Sequence, residues 1–286
     1  MNESTLSSDG SQSRAAAVNI SKHQFRSGEV EQISDWVAVE EPLEIRIQGE
    51  PYAVLLRTPG DEQALIAGFL ASEGIIAGLE DLAAVSPCPN GEAKEADLNY
   101  WNVALADGVR FDQSRRKSST VGSTCGLCGV RAIEEIQAAL PKANIQVDAL
   151  TSDFFGKVEQ QVRKRQKIWH QTAGVHAAAL ACPTNADLFA IAEDVGRHNA
   201  VDKVLGSRIL ADAYPVERAA VLWVSGRLSF ELVQKAALAG VAVVVGLGTP
   251  TSLAVEAARI SGLSLFGLAR EKSVNRYCGE TDWAAI

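Results

Sequence analysis

The sequence predicts an α/β layered sheet joined to a smaller α+β domain. Three observations carry this. Strand-like and helix-like runs alternate from His176 onward. The N-terminal half instead groups several strand-like runs around one helix. Between the two lies a basic, polar stretch that fits neither texture. A chain of 286 residues is expected to hold two domains, at about 100–200 residues each. Apolar residues make up 47% of it, enough for a packed core. The net charge of −8 argues against a general nucleic-acid or anionic-membrane binder, while leaving room for a local basic pocket.

The elements follow in chain order. The first 13 residues are Ser-rich and polar and lack the charged-then-apolar pattern of a secretory signal. Residues 1–28 are expected to be a disordered tail. The small α+β domain is expected over 29–113. Its strands fall at 36–39, 43–47 and 52–56, punctuated by Pro42, Gly49-Glu50-Pro51 and Pro59-Gly60. Asp61 stands where it would cap a helix over 62–71, with Ala64, Leu65, Gly68 and Phe69 at helical spacing. A further strand covers 98–105.

Arg110, Arg115, Arg116 and Lys117 then lead into a flexible loop over 114–129 that holds the stretch STCGLCG. A helix over 130–140 follows, stopped by Pro141. The α/β domain is expected over 130–286. Its strands fall at 175–181, 188–193, 219–224, 241–245 and 263–269, and its helices at 197–211, 230–239 and 252–261. The most continuous apolar strand, 241–245, is far too short to span a bilayer. Five cysteines, an odd count, do not make a disulfide scaffold in a chain this long. Reduced thiols in the cytoplasm are the simplest reading.

Three predicted strands empty into polar loops: EDVGRHN at 193–199, Ser225-Gly226-Arg227, and GLGTPTS at 246–252. Ligands of open α/β sheets bind outside the carboxyl ends of strands, and helix N-termini there suit phosphate. Tight connections need glycine in any case, so the arginines sharpen the case: Arg197 and Arg227 are expected at one mouth. Asp194, Arg197, His198, Asn199, Asp202 and Lys203 crowd a single strand-to-helix junction, which reads as a site more readily than as a solvated helix start. His176, alone at the start of an apolar strand, reads as a hydrogen-bonded core residue.

The pair Cys125 and Cys128 admits several chemistries. A structural zinc site needs four ligands, but Cys88, Cys182 and Cys278 are isolated. A deaminase-type zinc needs H-x-E ahead of P-C-x-x-C, and here Thr124 precedes Cys125 with no H-x-E upstream. No metal is therefore expected. Thiol–disulfide exchange uses this spacing, though thioredoxin-like motifs sit near the start of a βαβ domain. A thiolate also carries sulfur as a persulfide, and the small neighbours Ser123, Gly126 and Gly129 leave room for a donor. Two buried cysteines acting as small hydrophobes are the remaining alternative.

The motifs occur in a recognisable order. Thr58-Pro59-Gly60-Asp61, Gly68-Phe69-Leu70 and Glu73-Gly74-Ile75-Ile76 precede the cysteine pair. TAGVHAA at 172–178, EDVGRHNAVDK at 193–203, Ser225-Gly226-Arg227, FELVQK at 230–235 and SLAV at 252–255 follow it. On these the sequence resembles the FdhD family, sulfur carriers needed to make active formate dehydrogenase, over residues 33–279.

The resemblance implies a cytidine-deaminase-like α/β domain without zinc chemistry. It also implies sulfur transfer from a cysteine desulfurase to the molybdenum or tungsten bis(molybdopterin guanine dinucleotide) cofactor, bound as substrate, in a cytoplasmic homodimer that partners formate dehydrogenase. Cys125 matches the persulfide-bearing cysteine and Cys128 its partner. Leu268, Ala269, Arg270, Glu271, Lys272 and Ser273 match the family's late cofactor-binding segment, with Glu271 and Ser273 where glycines and a second basic residue are frequent. Ala173 stands where a glycine is common. Arg197, His198, Arg227, Gly248 and Ser252 complete the expected cofactor contacts, because a doubly guanylated pyrophosphate is strongly anionic and needs cations and helix N-termini. A cofactor-holding chaperone without sulfur transfer is the other function class, alongside a thiol–disulfide oxidoreductase.

Overall fold

The computed structural model describes residues 14–27, 29–90, 96–109, 111, 140–141, 147, 149–151, 153–216 and 220–284. Cys125, Cys128, the basic residues Arg110 and Arg115–Lys117, and all but the last residue of the helix expected over 130–140 lie outside them. The N-terminal unit is a four-stranded sheet of β3 (Glu41–Ile47), β4 (Glu50–Arg57), β5 (Leu82–Pro89) and β6 (Ala96–Leu105). Its order is β4-β3-β6-β5, with β3 and β6 parallel and the other pairs antiparallel. Leu43, Ile45, Ile47, Leu55 and Val103 point into a core capped by helix α1 (Glu62–Ser72). Asp61 does precede α1, but at φ 57° and without a side-chain cap. Instead Glu62 Oε1 accepts the Gly60 N–H at 2.9 Å.

The second unit is a six-stranded mixed sheet. Its strands are β8 (His176–Ala181), β9 (Leu188–Asp194), β10 (Val221–Val224), β11 (Val243–Gly246), β12 (Ser264–Arg270) and β13 (Ser273–Cys278), in the order β13-β12-β11-β10-β8-β9. Alternation explains its two buried faces. Ala178, Leu180, Leu222, Val224, Val244 and Leu265 face the helices α4 (Arg197–Leu210), α5 (Phe230–Leu238) and α6 (Ser252–Ser261). Ala177, Ala179, Val221, Trp223, Val243, Val245 and Phe266 face helix α2 (Phe154–Arg165). The unit is thus a three-layer α/β/α stack. Beside it, β7 (Ala149–Thr151) pairs in parallel with β14 (Asp282–Ala284).

Two glycines join the units. A Cβ built at Gly68 of α1 would sit 1.9 Å from Asp202 O, and one at Gly206 of α4 would sit 1.8 Å from Ala64 O. The helices approach so closely that only hydrogen fits between their backbones. Ile209 of α4 enters the N-terminal core.

Further expectations change, and β5 and β13 are strands the sequence did not predict. The tail expected over 1–28 contains a strand, β1 (Ala17–Arg26), paired antiparallel with β2 (Glu29–Ala38). β2 itself begins seven residues before the strand expected at 36. Helix α2 was not expected, although Phe154, Phe155, Val158 and Val162 are its buried stripe. The short helix α3 (Lys167–Thr172) ends at Ala173, whose φ of 52° is the left-handed conformation that glycine takes without strain.

Candidate functional site

Strand direction assembles the site. β10, β11 and β12 are parallel, β8 opposes β10, and β9 opposes β8. The carboxyl ends of β9, β10, β11 and β12 therefore share one edge with the amino end of β8, where His176 pairs with Asp194. From β9 to β12 this edge spans about 19 Å, at about 4.8 Å per strand. Helices α4, α5 and α6 each start from it, so three N-termini bring partial positive charge to the edge.

The β9–α4 junction turns most of its charge inward. Asp194 is fully buried. Its Oδ2 accepts from Lys203 Nζ at 2.8 Å and from the Thr58 N–H at 3.1 Å. Its Oδ1 accepts from the Gly196 N–H at 2.8 Å and from Asn199 Nδ2 at 3.0 Å. Thr58 answers with its other atoms: Oγ1 accepts the Val195 N–H at 3.1 Å and the carbonyl accepts Lys203 Nζ at 2.8 Å. The TPGD motif and the EDVGRHNAVDK motif are thus two halves of one buried, fully hydrogen-bonded joint. One turn on, Lys235 Nζ donates to both Asp202 oxygens at 2.7 and 2.8 Å, and Ser72 Oγ donates at 2.9 Å. Burial pushes the Asp202 carboxyl above its usual range against the pull of Lys235 and Ser72. Burial, aided by Asp202, pushes the Tyr214 hydroxyl up to about 12.

Other groups face the mouth. Arg197 starts α4, and its Nε is buried without a hydrogen-bond partner. Its Cδ would lie 3.5 Å from a Cβ at Gly226, and so would His176 Cε1 and Nδ1. His176 Nδ1 lies 3.3 Å from Ser225 Oγ, which also accepts the Ala177 N–H at 3.0 Å. Burial, with Arg197 and His198 nearby, holds the His176 imidazole below its ordinary pKa. His198 Nε2 lies 2.8 Å from Glu231 Oε2 and 3.2 Å from Ser229 Oγ, bracing α4 against α5. Arg227 is exposed on the β10–α5 loop.

Gly248 serves packing first. A Cβ there would meet Arg227 Cα and Gly226 O at 2.8 Å. The amides of Leu247, Gly248 and Thr251 are donated to Val224, Gly226 and Leu228 carbonyls at 3.0–3.1 Å. Thr251 caps α6 by accepting from the Ala254 N–H, and Ser252 is exposed beside it.

The segment 268–273 runs from the end of β12 through the Glu271-Lys272 turn into β13, with Arg270 paired to Ser273. Leu268, at φ 52°, donates its N–H to Gly248 O at 3.1 Å. Ala269 is buried on the α2 face. Arg270 is exposed, and its Nη1 donates to Leu247 O at 3.0 Å and Ala269 O at 2.7 Å. Glu271 lies over Gly156 of α2, its Cγ 2.9 Å from where a Cβ would be. Lys272 and Ser273 are exposed.

The structure therefore brings Arg197, His198, Arg227, Gly248, Ser252 and the 268–273 turn to one edge. It adds His176, read from the sequence as a core residue, and sets it against Ser225 of the expected second loop. The missing signal for His176 was the antiparallel setting of β8, which no local pattern encodes.

These features define a three-layer α/β/α protein with a cationic mouth at the carboxyl edge of its sheet. The model of the FdhD/NarQ family matches residues 38–283, and the chain belongs to that family. It is 40% identical over 260 residues to the sulfur carrier protein FdhD of Streptomyces coelicolor, covering 90% of this chain and 92% of that one. It is 43% identical over 251 residues to the sulfur carrier protein FdhD of Mycobacterium tuberculosis, covering 84% and 89%. A solved formate dehydrogenase accessory protein from Desulfotalea psychrophila superposes with a TM-score of 0.71 at 25% identity, covering 92% of this chain and 97% of that one.

Proposed function

We propose that this protein is a cytoplasmic sulfur carrier for formate dehydrogenase. It takes sulfur from a cysteine desulfurase and delivers it to the molybdenum bis(molybdopterin guanine dinucleotide) cofactor, bound as substrate. The observation that carries the reading is the mouth: a chain of net charge −8 gathers Arg197, Arg227 and Arg270 with three helix N-termini at one sheet edge. The buried, unpartnered Arg197 Nε supports an anionic ligand there, because an orphaned buried donor costs about 1–3 kcal/mol until it is satisfied. Relatives named sulfur carriers support the same reading. The mixed sheet between helical layers supports a cytidine-deaminase-like descent for the larger unit.

In this reading the Cys125 thiolate attacks the sulfane sulfur of the desulfurase persulfide. A new S–S bond forms, the old one breaks, and the desulfurase thiolate leaves. Cys128 then attacks Cys125 Sγ, forming a Cys125–Cys128 disulfide and releasing the outer sulfur as sulfide to the cofactor. The two thiols supply the two electrons, and a cytoplasmic thiol reductant resets the pair. Arg197, Arg227 and Arg270 hold the pyrophosphates, and the helix N-termini offset their charge.

Intact mass after incubation with a cysteine desulfurase and cysteine tests the reading. The chain should gain one sulfur, Cys125→Ala should gain none and fail to activate formate dehydrogenase, and GDP binding should survive the change. Cys128→Ala should load sulfur and transfer it poorly. A Cys125→Ala protein that still activates the dehydrogenase would favour a chaperone that only holds the cofactor.

A further inference from the structure

Cations gather on a corner of the molecule that the mouth does not use. Asp and Glu number 35 in 286 residues, yet none falls between 160 and 186. The same stretch carries Arg163, Lys164, Arg165 and Lys167 around the corner from α2 into α3. Glu159 pairs with Arg163 at 2.7 Å. Lys164, Arg165 and Lys167 are exposed and have no ion-pair partner among the described residues. The dipole of α2 favours cations in its last turn. It does not favour Lys167, which opens α3, where helix amides already carry positive charge. In a chain of net charge −8, three neighbouring unpaired cations form a local field of the opposite sign.

The corner is held in shape. His170 Nε2 lies 2.7 Å from Arg163 O, and the buried Gln166 donates its N–H to Val162 O at 3.1 Å. The Arg163 guanidinium stands over the Trp169 ring at 6.0 Å, and the His170 ring meets it edge-on at 5.6 Å. Glu193 Oε2 and Oε1 accept the Ile168 and Trp169 N–H groups, each at 2.9 Å. Glu193 precedes Asp194 at the carboxyl end of β9, so the corner is tied to the edge that carries the mouth.

We propose that this corner docks an acidic segment of a partner protein beside the mouth. Two observations favour a protein over a nucleic acid. The free cations ring a single helix end, and the rest of the chain is acidic and repels a long polyanion. A single strand also needs open aromatic faces on which to stack, whereas Trp169 is half-buried with Arg163 across its ring. Tryptophan beside arginine is instead the composition of protein–protein hot spots. A glutamate-rich segment meets Lys164, Arg165 and Lys167 in exposed, salt-sensitive ion pairs, which steer encounter more than they tighten the complex. The inference stands without the carrier reading, because the contact it describes needs no sulfur.

Fluorescence anisotropy of a fluorescein-labelled oligoglutamate peptide with the full chain at low salt tests it. Wild type should bind, and the affinity should fall as salt rises. The triple variant Lys164→Gln, Arg165→Gln, Lys167→Gln should bind on the order of a hundredfold more weakly, about fivefold for each exposed charge. Arg259→Gln removes an exposed cation from the last turn of α6 and should leave the affinity unchanged. Saturating GDP, the probe of the mouth, should not displace the peptide. A wild type that fails to bind, a triple variant that binds equally well, an equal loss in Arg259→Gln, or displacement by GDP would overturn the proposal. So would an oligothymidylate that binds more tightly than the peptide and is lost in the triple variant, which would give the corner to nucleic acid.

Discussion

The run 193–203 and the turn 268–273 lie along the same sheet edge, four strands apart, and both are dense in charge. In the run, Asp194, Asp202 and Lys203 are buried and paired across to Thr58, Ser72 and Lys235. In the turn, Arg270, Glu271 and Lys272 are exposed. The specificity of the EDVGRHNAVDK motif is thus largely that of a joint between two units. Of its charged groups, Arg197 stands at the mouth beside Gly226, and His198 braces α4 against α5 through Glu231 and Ser229. A dense charged motif marks a place where chemistry is constrained, and here the constraint is divided between holding the edge together and presenting it.

The sharpest way to break this contrast is Lys203→Met. It leaves the Asp194 carboxylate buried without its cation and removes the bond to Thr58 O. Breaking one partner of a buried pair costs about 3–5 kcal/mol, to be read from urea unfolding. Arg270→Ala, its exposed counterpart, should cost less than about 1 kcal/mol in the same assay. Adding Asp194→Asn to Lys203→Met should recover part of the loss, since the pair acts as a unit. Equal costs at 203 and 270 would show that the run and the turn are not different in kind.

The helix crossing beneath the joint comes next. Gly206→Ala places a methyl group 1.8 Å from Ala64 O, so α1 and α4 must part. Overpacking of this kind costs about 1–3 kcal/mol or more. Gly68→Ala should do the same from the other side. If both substitutions left stability unchanged, the close crossing would be wrong.

On the open side, Arg197→Ala should not lower the stability of the free protein, because it removes a buried donor that has no partner there. It should instead weaken GDP binding by about 1–3 kcal/mol, the range of a charge-assisted hydrogen bond. Arg227→Ala should behave alike. Calorimetric titration of folded variants reads both, and unchanged affinity would remove either residue from the mouth.

Much of this arrangement was legible before the structure. Helices α4, α5 and α6 and the strands feeding them have strong apolar periodicity, and their boundaries fall within two residues of expectation. What was not legible has physical causes. β1 alternates Val18 and Ile20 with polar residues but buries neither face, so no burial period distinguishes it from a solvated tail. The amides of the 246–252 loop read as open to phosphate, yet Leu247, Gly248 and Thr251 bind neighbouring loops, a long-range pairing that local sequence does not carry. His176 read as a core histidine, and half of that holds: it is partly buried, but it also stands beside Gly226 and within the field of Arg197 at the mouth.

That double position makes His176 the finest test of the division between joint and mouth. Burial comes first among the causes that hold its imidazole below the ordinary value near 6.5, with the charges of Arg197 and His198 adding to it and Asp194 opposing. The folded state therefore binds this proton less readily than the unfolded chain. Its contribution to stability is present above about pH 6.5 and is lost as pH falls through the folded value. An anion in the mouth acts in the opposite sense, because it favours the imidazolium. GDP binding should take up a proton and tighten as pH drops from neutrality, by less than about tenfold per pH unit, the limit for one group. His176→Gln keeps a hydrogen-bonding partner for Ser225 and removes the titration. It should flatten both dependences, while Lys203→Met should leave the slope of GDP binding intact in whatever protein still folds. An unchanged slope in His176→Gln would put His176 with the buried joint and leave the mouth to the arginines.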